Sequence, residues 1–104
     1  MFITKKHQYG LLSMIYLGMH FQRGPIQLKL ISKESAIPHA YLEQLILDLK
    51  KHRLVISTRG ARGGYQLAKP PREISVYDIF FAFGPLGVQS NEDDSLAFFW
   101  NKLI

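Results

Sequence analysis

The stretch from Leu54 to Ala68 restricts the fold of this 104-residue chain more than any other. Leu54-Val55-Ile56-Ser57-Thr58 is short and β-branched, which suits a strand. Tyr65-Gln66-Leu67-Ala68 alternates and reads as its hairpin partner. Between them Arg59-Gly60-Ala61-Arg62-Gly63-Gly64 supplies glycines for a tight connection and two arginines for its tip. Lys69-Pro70-Pro71-Arg72 ends the ladder, because consecutive prolines have no N–H to donate.

Everything before the hairpin has helical spacing. Residues 4–21 read as one helix, apolar nearly all round through Tyr9, Leu11, Leu12, Ile15, Tyr16, Leu17 and Met19, as expected of a helix covered on more than one side. Gln22-Arg23-Gly24-Pro25 forms a turn. A short helix over residues 28–34 follows, with Leu28, Ile31 and Ser32 inward. Ser35 and Ala36 interrupt it, and Pro38 opens another helix. There Leu42, Leu45, Ile46 and Leu49 recur at i, i+3, i+4 and i+7, a core-facing stripe. The opposite face carries Ala40, Glu43, Gln44, Leu47 and Lys51, with His39 and Tyr41 flanking the first turn. A short helix, a tight turn and a longer helix with a polar outer face is the helix-turn-helix pattern, and the arginine-tipped hairpin after it describes a wing. After the hairpin, Ser75 caps a helix with Asp78 at capping-box spacing, and Val76, Ile79, Phe80 and Phe83 form its apolar side. Gly84-Pro85-Leu86-Gly87 stops it. A last helix is expected from Ser90 or Asn91, with Leu96, Phe99, Trp100 and Leu103 on one side as a dimerisation stripe.

Charge sharpens this reading. The formal net charge is +5, yet residues 50–72 alone hold Lys50, Lys51, Arg53, Arg59, Arg62, Lys69 and Arg72 with no acidic residue, net +7. Residues 1–49 carry +2 and residues 73–104 carry −4. A localised basic segment of this kind is the footprint of an anion-binding surface.

Other classes fit poorly. There is no cysteine, hence no disulfide, thiolate metal site or cysteine nucleophile. The Arg59–Gly64 loop lacks the lysine of a phosphate loop and the glycine order of a dinucleotide loop. His7, His20, His39 and His52 are scattered, and His39 and Glu43 have no third ligand beside them. Neither an enzyme nor a cofactor is expected. Gly10, Ser13, Gly18 and His20 interrupt the N-terminal apolar stretch, so it is read as part of the fold rather than a signal peptide. No run approaches the about 18 apolar residues of a membrane span. The expected compartment is the cytoplasm, with no membrane contact.

Four stretches carry a family resemblance: Ile3-Thr4-Lys5 with Tyr9; Ile37-Pro38-His39-Ala40-Tyr41-Leu42-Glu43-Gln44; Arg59-Gly60-Ala61-Arg62-Gly63-Gly64-Tyr65-Gln66-Leu67-Ala68; and Ile74-Ser75-Val76-Tyr77-Asp78-Ile79. In order and spacing over residues 1–85 the chain resembles the IscR/NsrR/CymR family of bacterial winged helix-turn-helix transcription regulators. The resemblance implies an α+β, mostly α fold: a winged helix-turn-helix DNA-binding domain over residues 1–85, then a short linker and C-terminal dimerisation helix over residues 86–104. It implies a homodimer on partly palindromic double-stranded DNA, with a recognition helix in the major groove and the wing arginine in the minor groove. Many family members sense through a cluster held by three cysteines between the last two helices. Here Leu86 to Phe99 is shortened and has none, so that function does not carry over. Two positions depart from the glycine the family often has: Ala36 before the recognition helix and Arg53 after it, at a possible left-handed cap. The family's last helix runs on past the tryptophan matched by Trp100, whereas this chain stops at Ile104. A shortened dimer helix, a weakened dimer or completion by another protein is expected.

On this reading Lys5, Lys6, Lys51 and Arg62 contact phosphates, and His39 and Tyr41 hold phosphate at the helix start. Ala40 lies on the groove-facing side, Gln44 pairs with adenine, and Glu43 accepts from cytosine. Arg59, beside Gly60, enters the minor groove, where A·T-rich sequence concentrates negative potential. The alternative is a winged-helix protein-interaction module that uses its aromatic C-terminal stripe and binds DNA weakly or not at all. RNA binding is a third possibility, though exposed aromatics for base stacking are not evident.

Overall fold

The structure, a computed structural model, describes residues 3–84. Four α-helices and one antiparallel hairpin follow in chain order: α1 (Lys5–Met19), α2 (Leu28–Ser35), α3 (His39–Lys51), β1 (Val55–Thr58), β2 (Gly64–Leu67) and α4 (Val76–Phe81), with a 3₁₀ turn at Pro71–Glu73 before α4. The fold is mostly α, with the hairpin as a wing. The expected C-terminal helix and its stripe of Leu96, Phe99, Trp100 and Leu103 lie outside the described residues. No described helix is long and apolar enough to cross a membrane.

Each boundary has a local cause. Thr4 caps α1 by accepting the His7 N–H at 3.1 Å, so the helix begins one residue later than its apolar pattern. α2 ends at Ala36, whose φ of 59° is left-handed. Arg53, after α3, is also left-handed at 59°. Each costs on the order of 1 kcal/mol in a non-glycine residue, offset by the backbone hydrogen bonds that the turns allow: Ile37 N–H to the Ser32 carbonyl (3.3 Å) and Leu54 N–H to the Leu49 carbonyl (3.0 Å). α4 starts in a full capping box. Ser75 Oγ accepts the Asp78 N–H and the Asp78 carboxylate accepts the Ser75 N–H, both at 3.0 Å.

The core lies between α1, the helix-turn-helix pair and the base of the wing. Leu17, Ile31, Ile37, Leu42, Leu45, Ile46 and Leu49 are almost completely buried, and Leu54, Val55 and Leu67 close it from the hairpin side. Within the single chain α1 buries one face, His7, Gly10, Ser13, Met14 and Leu17, while Leu12, Ile15 and Met19 are about half exposed or more. Small residues decide which face turns inward, because they let neighbours approach. A Cβ on Gly10 would stand 2.1 Å from the Phe83 ring, so the bare helix face there is what receives α4.

His7 is the polar member of this contact. Almost fully buried, it bonds through Nδ1 to the Thr4 hydroxyl and through Nε2 to the Gly84 carbonyl (2.9 Å). Phe80 and Phe83 meet its ring edge-on at 5.3 and 6.0 Å. Gly84 O offers only lone pairs, so Nε2 donates to it.

Hairpin pairing runs Val55 to Leu67, Ile56 to Gln66, Ser57 to Tyr65 and Thr58 to Gly64. The turn before α2 adds one more rung: Ile26 and Tyr65 exchange both backbone bonds, at 2.9 and 2.8 Å. That rung anchors the wing to the helix-turn-helix and was not visible in the sequence pattern. It requires Gly64, where a Cβ would lie 2.4 Å from the Ile26 carbonyl.

Two outcomes follow from this packing. Gly64→Ala forces backbone against backbone and destabilises the domain by about 2 kcal/mol, with faster amide exchange at Ile26 and Tyr65 than at core positions of α3. Ser75→Ala removes one cap partner and costs about 1 kcal/mol. The Asp78 carboxyl is held below its ordinary range, first by the Ser75 N–H and then by the Ser75 hydroxyl. Its contribution is therefore present at neutral pH and lost as pH falls through its folded-state value. Thermal melts of Asp78→Asn should lose that part of the acid dependence.

Candidate nucleic-acid interface

Burial of one stripe of α3 dictates what the other side offers. With Leu42, Leu45, Ile46 and Leu49 inward, His39, Ala40, Glu43, Gln44, Leu47, Lys50 and Lys51 are left exposed on one continuous face. Its first turn is presented by the tight connection from α2, where the Ser32 hydroxyl donates to the Ile37 carbonyl and the Ser35 hydroxyl to the Ile31 carbonyl. His39 Nδ1 and Glu43 Oε1 stand 4.0 Å apart, both more than half exposed, too open a pair to hold either side chain firmly.

The wing presents a second exposed surface. Arg59, Gly60, Ala61 and Arg62 are all exposed, and the loop is closed by the Gly63 N–H donating to the Gly60 carbonyl at 2.9 Å. Gln27, at the start of α2, reaches the Ala61 carbonyl at 3.4 Å. The wing is therefore tied to the start of α2, the helix that packs against α3.

Not every expected residue joins this surface in the same way. Tyr41 is half-buried, its ring edge-on to Tyr9 at 5.3 Å. Burial, then the neighbouring Tyr9, pushes its phenol pKa up, so it presents a neutral hydroxyl. Lys6 turns to the flank of α3, where Nζ pairs with Asp48 at 3.3 Å and lies 5.9 Å from the Phe83 ring centroid. Lys5 is exposed at the start of α1. Ser57, Thr58 and Gln27 were not singled out from the sequence, and Lys50 only as one of the basic segment, yet they line a cleft of about 410 Å³ between the wing and the start of α2, together with Arg59. Lys50 had a readable signal in its place within the basic run. The other three had none, since polar residues of that kind occur throughout the chain.

Electrostatically the wing and the end of α3 are basic, with Glu43 the acidic group on the outer face of that helix. Among the described residues, none of the seven cations between positions 50 and 72 has a carboxylate within ion-pair distance. An exposed face of that sign, with amide and carboxylate groups on one helix and arginines on an adjoining loop, is chemically suited to a polyanion with readable edges.

The family model described as Rrf2, iron-dependent transcriptional regulator, matches residues 3–96. The HTH-type transcriptional regulator IscR of Photorhabdus laumondii is 43% identical over 80 residues, covering 77% of this chain and 49% of that protein. Among solved structures, T. potens IscR superposes with a TM-score of 0.78 at 39% identity, covering 99% of this chain and 74% of that one. CymR, described as the global cysteine regulator of B. subtilis, gives 0.78 at 34% identity, covering 99% and 83%. The chain spans about half the length of the curated IscR relatives it matches. The iron in the family's description has no evident donor set here: the 104 residues contain no cysteine, and among the described residues no three His, Cys, Asp or Glu side chains gather. On the match across residues 3–96, and the agreement in sequence and fold with IscR and CymR, this chain belongs to the Rrf2 family of transcriptional regulators.

Proposed function

We propose that the chain is a sequence-specific DNA-binding regulator, a repressor that occupies a partly palindromic operator as a homodimer in the cytoplasm, without an iron–sulfur cluster and without catalysis. The observation that carries this reading is that two exposed surfaces, the outer face of α3 and the arginine-tipped wing, are carried by elements packed against each other. α3 enters the major groove, where Gln44 pairs with adenine and Glu43 accepts from cytosine, beside Ala40. Arg59 enters the minor groove, with Gly60 allowing the loop to come close. Lys5, Lys51 and Arg62 neutralise phosphates, and His39 and the Tyr41 hydroxyl bind phosphate at the start of α3. Lys6 joins them only by leaving Asp48, so its contribution is the smaller of the two N-terminal lysines.

Support for the dimer comes from an apolar groove beside the exposed Ile15 and Met19, lined also by Leu11, Pro71 and Val76. The helical spacing of Leu96, Phe99, Trp100 and Leu103 offers a stripe of matching character. The same exposed face favours the second reading, a protein-interaction module.

A gel-shift titration with a duplex selected by the protein from a random pool separates the two. The regulator retards that duplex, and retardation weakens steeply with salt. Arg59→Ala lowers affinity more than Lys102→Ala, although each removes one positive charge. Equal losses would remove the minor-groove role of the wing, and no retardation even at low salt would leave the interaction module.

A further inference from the structure

The outer face of α3 is polar except along its middle. Its buried stripe, Leu42, Leu45, Ile46 and Leu49, fixes which side looks outward. At about 100° per residue, the centre of that outward side falls to Ala40, Leu47 and Lys51, with Glu43 and Gln44 flanking the row. Leu47 is the member of this row to which the DNA-binding reading gives no task. Its side chain is 48% exposed, and among the described residues it belongs neither to the core nor to the side chains packed on it. It follows Glu43 by four residues and Gln44 by three, so it stands one turn beyond both on the same face. Lys50 and Lys51 close the next turn. A single exposed leucine is ordinary on a protein surface. At the centre of the face that enters a groove, it must meet whatever the base edges present there.

We infer that Leu47 reads the C5-methyl group of a thymine in the major groove, one base-pair step along from the pair read by Gln44 and Glu43. The inference rests on the DNA-binding reading above. Among the groups displayed in the major groove that methyl alone is apolar, and the others are donors and acceptors that a hydrocarbon side chain would leave unpaired. The spacing agrees. Three residues of helix advance about 4.5 Å, against about 3.4 Å between successive bases of one strand. Ala40, seven residues earlier on the row, has one methyl group, so Leu47 supplies most of the apolar surface of this face. 5-Methylcytosine carries the same methyl in the same place. The recognised chemistry is therefore a pyrimidine C5-methyl, with thymine its source in unmodified DNA.

The experiment compares the full chain with its Leu47→Ala variant on the selected duplex, with deoxyuridine replacing each thymine in turn. Uracil keeps every hydrogen-bonding group of thymine and lacks only the methyl. At one position in each half-site the exchange weakens the wild type about threefold to fivefold, the worth of one buried methyl group, and leaves Leu47→Ala unchanged. Leu47→Ala itself binds the selected duplex about fivefold to tenfold more weakly and binds a scrambled duplex as the wild type does. It keeps the wild-type salt slope, since no phosphate contact is lost, and the wild-type melting temperature, since the position is exposed. Exchanging the contacted T·A pair for C·G weakens the wild type, and 5-methylcytosine there recovers part of the loss. Leu47→Ala binds the two cytosine forms alike. Wild-type binding indifferent to uracil at every position overturns the inference, as does an equal uracil penalty in Leu47→Ala. Unchanged duplex affinity in Leu47→Ala also overturns it, leaving the side chain to a protein partner or to solvent. If the wild type binds neither duplex at any salt, the DNA-binding reading fails and the inference falls with it. Intact binding without a methyl effect fails the inference alone.

Discussion

Burial of Leu42, Leu45, Ile46 and Leu49 is the constraint on which the rest of the structure depends. Each such side chain contributes roughly 1.5–3 kcal/mol when removed from water, and all four leave α3 through one stripe. A rotation of the helix by one residue, 100°, would expose two or more of them and bury Glu43 or Gln44 without partners. The orientation of the polar face is thus a consequence of hydrophobic burial and needs no interaction of its own. Ile31 and Ile37 fill the angle between α2 and α3, so the turn at Ala36 is held by packing on both sides despite its left-handed backbone.

The wing is oriented by a different force. A two-stranded hairpin has little to bury and is marginal alone. Here Val55 and Leu67 anchor its base in the core, and the Ile26–Tyr65 rung ties it laterally to the start of α2. The exposed arginines are then carried on a frame shared with α3, while their charges remain in water and unpaired within the described fold. A basic surface kept free of internal acidic partners costs some self-repulsion and leaves its charge available to a polyanion.

Much of this was legible in the residues because the signals are local. A 3.6-residue apolar period marked α3, β-branched residues around glycines marked the hairpin, and the Ser75–Asp78 spacing marked the start of α4. Family resemblance added the expectation that α3 and the wing act together, and it located Ala36 and Arg53 at special backbone positions. What escaped depends on partners distant in sequence. α1 looked apolar all round because composition does not reveal that Gly10 and Ser13 lie inward while Ile15 and Met19 lie outward. Only the approach of Phe83 selects that face. Lys6 read as one more basic residue until Asp48 was found beside it.

Sequence alone determined the elements, the charge asymmetry and the absence of any thiolate with which these residues could hold a cluster. Each is set by residue identity or by spacing within a few positions. The tertiary structure decided how the elements meet: the rung from Ile26 to Tyr65, the buried His7 joining Thr4 to Gly84, and the cleft that brings Lys50 to Ser57 and Arg59. Those contacts arise from closing the chain around a common core. No local pattern encodes them, because the groups involved are adjacent only once the intervening helices have packed.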